Sequence, residues 1–183
     1  MEVAHFDALL EHLTTELAST AHVYDESGAF PHANFQLLHQ HGLVALTVPK
    51  ALGGGGASLP QARKAISAIA KGEPSTALIL VMQYLQHTRL QDSKTWPAHL
   101  RTQVAEDAVR NGALINALRV EPDLGTPARG GLPATTAART ADGLRISGRT
   151  SYLPRRHGVL WLIVWGRSGG SATVAAARSG PQH

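Results

Sequence analysis

Gly112 divides the chain into two patterns of residues, and no single-layer fold accommodates both. Upstream of it, apolar residues recur at helical steps. Phe6, Leu10, Leu13 and Leu17 mark one face of a helix over residues 1–22. "DESG" (25–28) breaks that pattern, and a short helix over 32–41 carries Phe35 and Leu38 before Gly42, a good C-terminal cap. Ser58, with Gln61 three residues on, reads as a capping box opening a helix that runs to about Lys71. Residues 75–91 are apolar around most of the girth, through Ala77, Leu78, Val81, Met82 and Leu85. This predicts a buried central helix, in which Leu78→Asp would unfold the chain. A last helix starts at Pro97, presents Leu100, Val104 and Ala108, and ends at Asn111–Gly112.

Downstream of Gly112 the runs are short and bounded by Gly, Pro and Asp. "ALINALRV" (113–120), "ATTAART" (134–140), "LRISGRTSYL" (144–153) and "VLWLIVW" (159–165) read as strands, with Asp142–Gly143 as a hairpin turn. Helices followed by strands predict an α+β chain, not a βαβ layer fold. A helical domain over 1–112 precedes a partial antiparallel β-barrel-like domain over 113–183. The tail, 166–183, has few large apolar residues and is expected to pack little. About four strands make a small β-domain, so the chain reads as a truncated member of something larger.

Several function classes have no support. The net charge of +4 comes largely from scattered arginines. Arg155–Arg156–His157, beside Arg149, is too short a basic run for a nucleic-acid surface, though a phosphate-bearing small ligand suits it. There is no cysteine, hence neither disulfide nor thiolate chemistry. The longest apolar run, "ALILVM" (77–82), is far short of a membrane span, and the N-terminus lacks a signal-peptide core. A soluble cytoplasmic protein is expected. His39 and His41 are two apart on one helix, and His5 and His12 have no third partner in register, so no metal site is predicted. The serines lack a G-x-S-x-G context. The four glycines 53–56 lack the Lys-Ser/Thr of a phosphate loop. Trp161 and Trp165 read as strand packing.

The informative stretch is "VEPDLGTPARGGLPATTAARTADGLRISG" (120–148), crowded with Gly, Pro, Thr and Ala between two apolar runs. "RVEPDLGTP" resembles the T-E-P-x-A-G-S-D segment at the start of the middle β-domain of the acyl-CoA dehydrogenase family. "TTAARTADGLRISGRTSYL" resembles that family's T-x-A-x-x-x-D-G-x-x-L-N-G-x-K-x-W-I-T hairpin. "GLVALTVPKALGGGGASLPQARKAISAIAKGEPSTALILVMQYLQH" is similar to its N-terminal helical domain.

The resemblance implies FAD as cofactor, because in such proteins this segment lies against the flavin and its pyrophosphate. Small residues there let the backbone come close. It implies cofactor contacts at Gly125 and Thr126, at Val120, where the family often has a threonine, and at Tyr152, the aromatic position beside the flavin. Pro154 stands where the motif has a threonine, and Glu121–Pro122 match the Glu-Pro that shapes the turn. It also implies an acyl-CoA thioester substrate undergoing α,β-dehydrogenation, and homo-oligomers of full-length proteins. The family's catalytic glutamate lies beyond the part represented here, so no catalytic residue is assigned. Two alternatives stay open: a flavin-dependent monooxygenase of the same fold, and a non-catalytic helical fragment that binds a partner.

Overall fold

The structure, a computed structural model, describes residues 3–123, 132–141, 143–150, 159–168 and 171–178, with the backbone alone at 159–160 and 171–178. The chain divides into two compact units, Met1–Leu114 and Ile115–His183.

The first unit holds five α-helices: α1 (Val3–Ser27), α2 (His32–Gln40), α3 (Leu59–Gly72), α4 (Pro74–Asp92) and α5 (Ala98–Asn111). In α1 the residues predicted to face inward, Phe6, Leu10, Leu13 and Leu17, are the buried ones. The helix continues through "DES" and stops at Gly28, whose positive φ of 58° reverses the chain. α1 packs on α3, and the two backbones meet at Gly72. A Cβ there would collide with the Thr14 carbonyl oxygen and lie 3.3 Å from the Ala18 nitrogen. The Thr14 hydroxyl spans the same contact, 2.9 Å from the Ala68 carbonyl.

The turn 49–58 is closed on itself. The amides of Gly54, Gly55, Gly56 and Ala57 bond the carbonyls of Pro49, Ala45, Val48 and Leu46. Each of these donors is therefore engaged, and none is left to cradle a phosphate. Ser58 and Gln61 form the expected capping box, the Ser58 amide donating to Gln61 Oε1 at 2.9 Å.

α4 begins with a device that the apolar pattern hides. Buried Glu73 caps it, accepting from the amides of Ser75 (3.0 Å) and Thr76 (2.7 Å) and from the Ser75 hydroxyl (2.7 Å). Replacing Glu73 with Ala is expected to cost about 1–2 kcal/mol of stability, read as a lowered urea midpoint with unchanged slope.

The orientation of α4 corrects the sequence reading. Leu78 is 67% exposed and Leu85 45%, whereas Thr76, Gln83, Gln86 and His87 are buried with Ala77, Leu80, Tyr84 and Leu90. The reason lies in what α4 packs against. Residues 43–48 are irregular, so their carbonyls have no regular ladder: Leu43, Ala45, Leu46 and Val48 accept from turn amides, and Val44 takes a donor from a side chain. The Tyr84 hydroxyl donates to Leu43 O (2.8 Å), and Gln83 Nε2 to Val44 O (3.3 Å) and Ala113 O (3.1 Å). Asn34 Nδ2 donates to Thr76 Oγ1 (3.0 Å). Meeting these partners turns the polar side chains inward and some leucines outward.

The second unit is built on a five-stranded sheet of β1 (Leu114–Leu118), β2 (Thr136–Thr140), β3 (Gly143–Ser147), β4 (Val159–Ser168) and β5 (Ser171–Arg178). The order is β1-β4-β2-β3, with β5 also paired to β4. β2 and β3 form the expected antiparallel hairpin, from Thr136↔Ser147 to Thr140↔Gly143. The sheet is mixed, not purely antiparallel. β4 returns beside β2 instead of β3 and so runs parallel to β2, in register at Thr136↔Arg167. The tail, expected to pack little, supplies β5, which pairs with β4 from Ser168↔Ser171 to Trp161↔Arg178. Backbone pairing across a two-residue connection needs no large side chains.

Candidate functional site

The Gly-, Pro- and Thr-rich stretch is anchored at its described ends by one carboxylate. Glu121 is 4% exposed. Its Oε2 accepts from the Ala134 amide (2.7 Å) and its Oε1 from the Thr135 amide (2.8 Å). Thr135 is also buried and its carbonyl in turn accepts from the Arg167 amide (2.9 Å), so Glu121 is tied through Thr135 to β4. Two glycines make room for this knot. A Cβ on Gly148 would lie 2.7 Å from Thr135 Cα, and one on Gly166 would lie 3.2 Å from Thr135 O. Burial pushes the Glu121 carboxyl up, but bonds from Thr135 and Ala134, together with the Arg167 charge, outweigh it and hold the group below its ordinary 4.5. Glu121, Asp123, Leu132, Pro133, Ala134 and Arg167 border a shallow depression of about 320 Å³.

Of the predicted cofactor contacts, only Val120 falls in the described part, half-buried beside Glu121. Gly125, Thr126 and Tyr152 lie outside the described residues, as do Pro154, Arg155, Arg156 and His157. The pair of hydrogen bonds that Glu121 accepts from residues 134 and 135 was not legible in the sequence. The only signal was an acidic residue beside proline at the mouth of a polar, small-residue stretch.

The helical unit holds a second concave region of about 560 Å³ along α3 and α4, lined by Leu59, Ile66, Val81, Leu85 and Tyr84 with Arg63 at its side. Its walls are apolar, and it brings together no set of acid, base and nucleophile.

On the buried side of α4 lies His87. Gln83 Nε2, which also reaches the Val44 and Ala113 carbonyls, lies 3.0 Å from His87 Nε2. Nδ1 finds no partner among the described residues. Burial lowers the His87 pKa to about 4 from 6.5. The folded chain thus favours neutral His87. Its contribution is complete above pH 6.5 and is lost as the pH falls through 4, as the unfolded chain takes up the proton first. This shift corresponds to about 3 kcal/mol. Urea unfolding at pH 7 and at pH 4.5 is expected to reveal the loss, and His87→Leu to flatten it.

No group of three or more His, Cys, Asp or Glu able to hold a metal occurs among the described residues. No described helix is long and apolar enough to cross a membrane.

Comparison with known proteins bears on both units. Residues 4–90 match the family model "Acyl-CoA dehydrogenase, N-terminal domain". YdbM of Bacillus subtilis, an acyl-CoA dehydrogenase by name, is 31% identical over 152 residues, which is 83% of this chain and 40% of that protein. The benzylmalonyl-CoA dehydrogenase of Aromatoleum aromaticum is 28% identical over 153 residues, 84% of this chain and 40% of that protein. The chain thus spans two-fifths of the length of these relatives. The crystal structure of FMN-bound TdsC from Paenibacillus sp. A11-2, a dibenzothiophene monooxygenase, superposes with a TM-score of 0.80 at 18% identity. That match covers 95% of this chain and 44% of TdsC, and it establishes a shared fold. The family match, the two dehydrogenase relatives and the helix-then-sheet fold agree: residues 4–90 match the N-terminal domain of the acyl-CoA dehydrogenase family, and the likeness to that family continues through most of the chain.

Proposed function

We propose that this chain forms one side of a flavin site in an acyl-CoA dehydrogenase-type oxidoreductase that takes FAD and an acyl-CoA thioester. The observation that carries the reading is the Glu121 knot, which fixes both described ends of the motif-bearing stretch. The described surroundings suit a phosphate-bearing cofactor: the depression of about 320 Å³ beside the knot has Arg167 on its border. Val120, Gly125, Thr126 and Tyr152 would hold the flavin. Val120 offers an apolar contact and no hydrogen bond, Gly125 backbone access, Thr126 a hydroxyl and Tyr152 an aromatic face. The flavin, when bound, supplies the redox chemistry, and the chain supplies its placement. In the complete enzyme the acyl thioester would lose hydrogen across its α,β bond. The base for that step is assigned to no residue of this chain, and the complete enzyme would be a homo-oligomer.

A second reading, a flavin-dependent monooxygenase, draws on the fold likeness to TdsC, which was crystallised with FMN. Titration of the chain with FAD and, separately, with FMN, followed by flavin fluorescence, tests both. Saturable quenching at micromolar protein by FAD is the expected result. Preference for FMN moves the assignment to the second reading. Absence of quenching by either, from a chain with full helical circular dichroism, overturns both.

A further inference from the structure

We infer that Glu121 is a positioning residue for the flavin segment: its carboxylate clips residue 121 to residues 134 and 135 and so sets where that segment begins and ends. The inference rests on the flavin reading above and extends it to a residue that would touch neither cofactor nor substrate.

The geometry is specific to a carboxylate. Both oxygens are in use, each on a separate backbone amide, 13 and 14 positions further along the chain. Charge-assisted bonds of this kind are the stronger class. Glutamine has the same shape but only one acceptor oxygen. Its NH₂ would face a backbone N–H, donor against donor. Aspartate keeps both acceptors but is one methylene shorter, so it can restore the pair only if the strand ends move together. Thr135 transmits the hold, since its carbonyl takes the Arg167 amide and its side chain fills the space left by Gly148 and Gly166. The stretch between Glu121 and Ala134 carries Gly125 and Thr126. Holding Glu121 against Ala134 and Thr135 fixes the described borders of that stretch before any ligand arrives, the usual route by which pre-organisation raises affinity.

The test compares wild type with Glu121→Gln by amide hydrogen exchange and by FAD titration. Protection of the Ala134 and Thr135 amides is expected to fall by about tenfold or more, with the β4–β5 ladder and the helical unit unchanged. The FAD dissociation constant is expected to rise by about tenfold, with Glu121→Asp recovering part of it. Unchanged protection at Ala134 and Thr135 overturns the clip. Lost protection with unchanged FAD affinity overturns the positioning role and leaves a purely structural one. Wild type that binds no flavin while both amides stay protected defeats the flavin reading, and the positioning role with it, but not the clip.

If Glu121→Gln does not fold, the wild-type chain still decides the matter. Glu121 is held below 4.5, and the charged groups bordering it are Asp123 and Arg167. The clip is therefore complete above pH 4.5 and is released as the pH falls through the lowered value. The amide resonances of Ala134 and Thr135 are expected to titrate together below pH 4.5. Two amides that titrate separately, or not at all, overturn the inference.

Discussion

Leu80→Asp is expected to unfold the helical unit, and Leu78→Asp, two residues earlier on α4, to leave it folded. Leu80 is fully buried, so the substitution removes a packed side chain and installs a carboxyl with no partner. Losing the leucine alone costs about 2–5 kcal/mol. Burying an unpaired carboxyl, even in its neutral form, adds a further few kcal/mol. Together these approach the whole stability of a typical domain, about 5–15 kcal/mol. Leu78 is 67% exposed, and aspartate there keeps its water. Exposed substitutions of this kind usually stay within about 0.5 kcal/mol. Circular dichroism melts of the two variants decide the point. A Leu80→Asp protein that melts like wild type, or a Leu78→Asp protein that is unfolded, would show that α4 faces the other way.

The second large effect is expected at Gly72. Alanine is normally the better helix former by about 1 kcal/mol, so propensity alone predicts a gain at this last position of α3. The packing predicts the opposite. The new methyl would meet the backbone of α1 at Thr14 and Ala18, and backbone cannot turn aside as a flexible side chain can. To admit it, α1 and α3 must separate, which loosens the Thr14–Ala68 hydrogen bond and the Leu10 and Leu13 packing beside it. Overpacking of this kind costs about 1–3 kcal/mol, and Gly72→Ala should fall at the upper end. Urea unfolding measures it directly, and a midpoint equal to or above wild type would contradict the close approach.

These two sites show where the sequence was legible and where it was not. The face of α1 could be read from Phe6, Leu10, Leu13 and Leu17 because an outer helix buries one stripe and wets the other, a pattern that periodicity captures. α4 could not be read this way. Its orientation is set by the carbonyls of Leu43, Val44 and Ala113, which are remote in sequence and carry no pattern of their own. The hairpin at 136–147 was legible from its local turn chemistry, whereas the parallel pairing of Thr136 with Arg167 depends on a return path that no local signal encodes. At the candidate site the motif marked the stretch, and Val120 and Glu121 lie where it begins. The partners of Glu121 are backbone amides, which every residue has, so side-chain identity could not point to them.

The polar side chains buried along α4 have a further consequence. A helix apolar all round can turn about its own axis among several packings of nearly equal energy. Gln83, Tyr84 and Thr76 each meet a fixed partner, and a turn of even one residue position would break all three bonds at once. Rotational degeneracy is thereby removed, and the central helix has one angular setting. Replacing Gln83 and Tyr84 with leucine strips donors from the carbonyls of Val44, Ala113 and Leu43, so it is expected to lower the melting temperature as well as remove the single orientation. Such a variant would show itself as broadened methyl resonances in a chain that still looks fully helical.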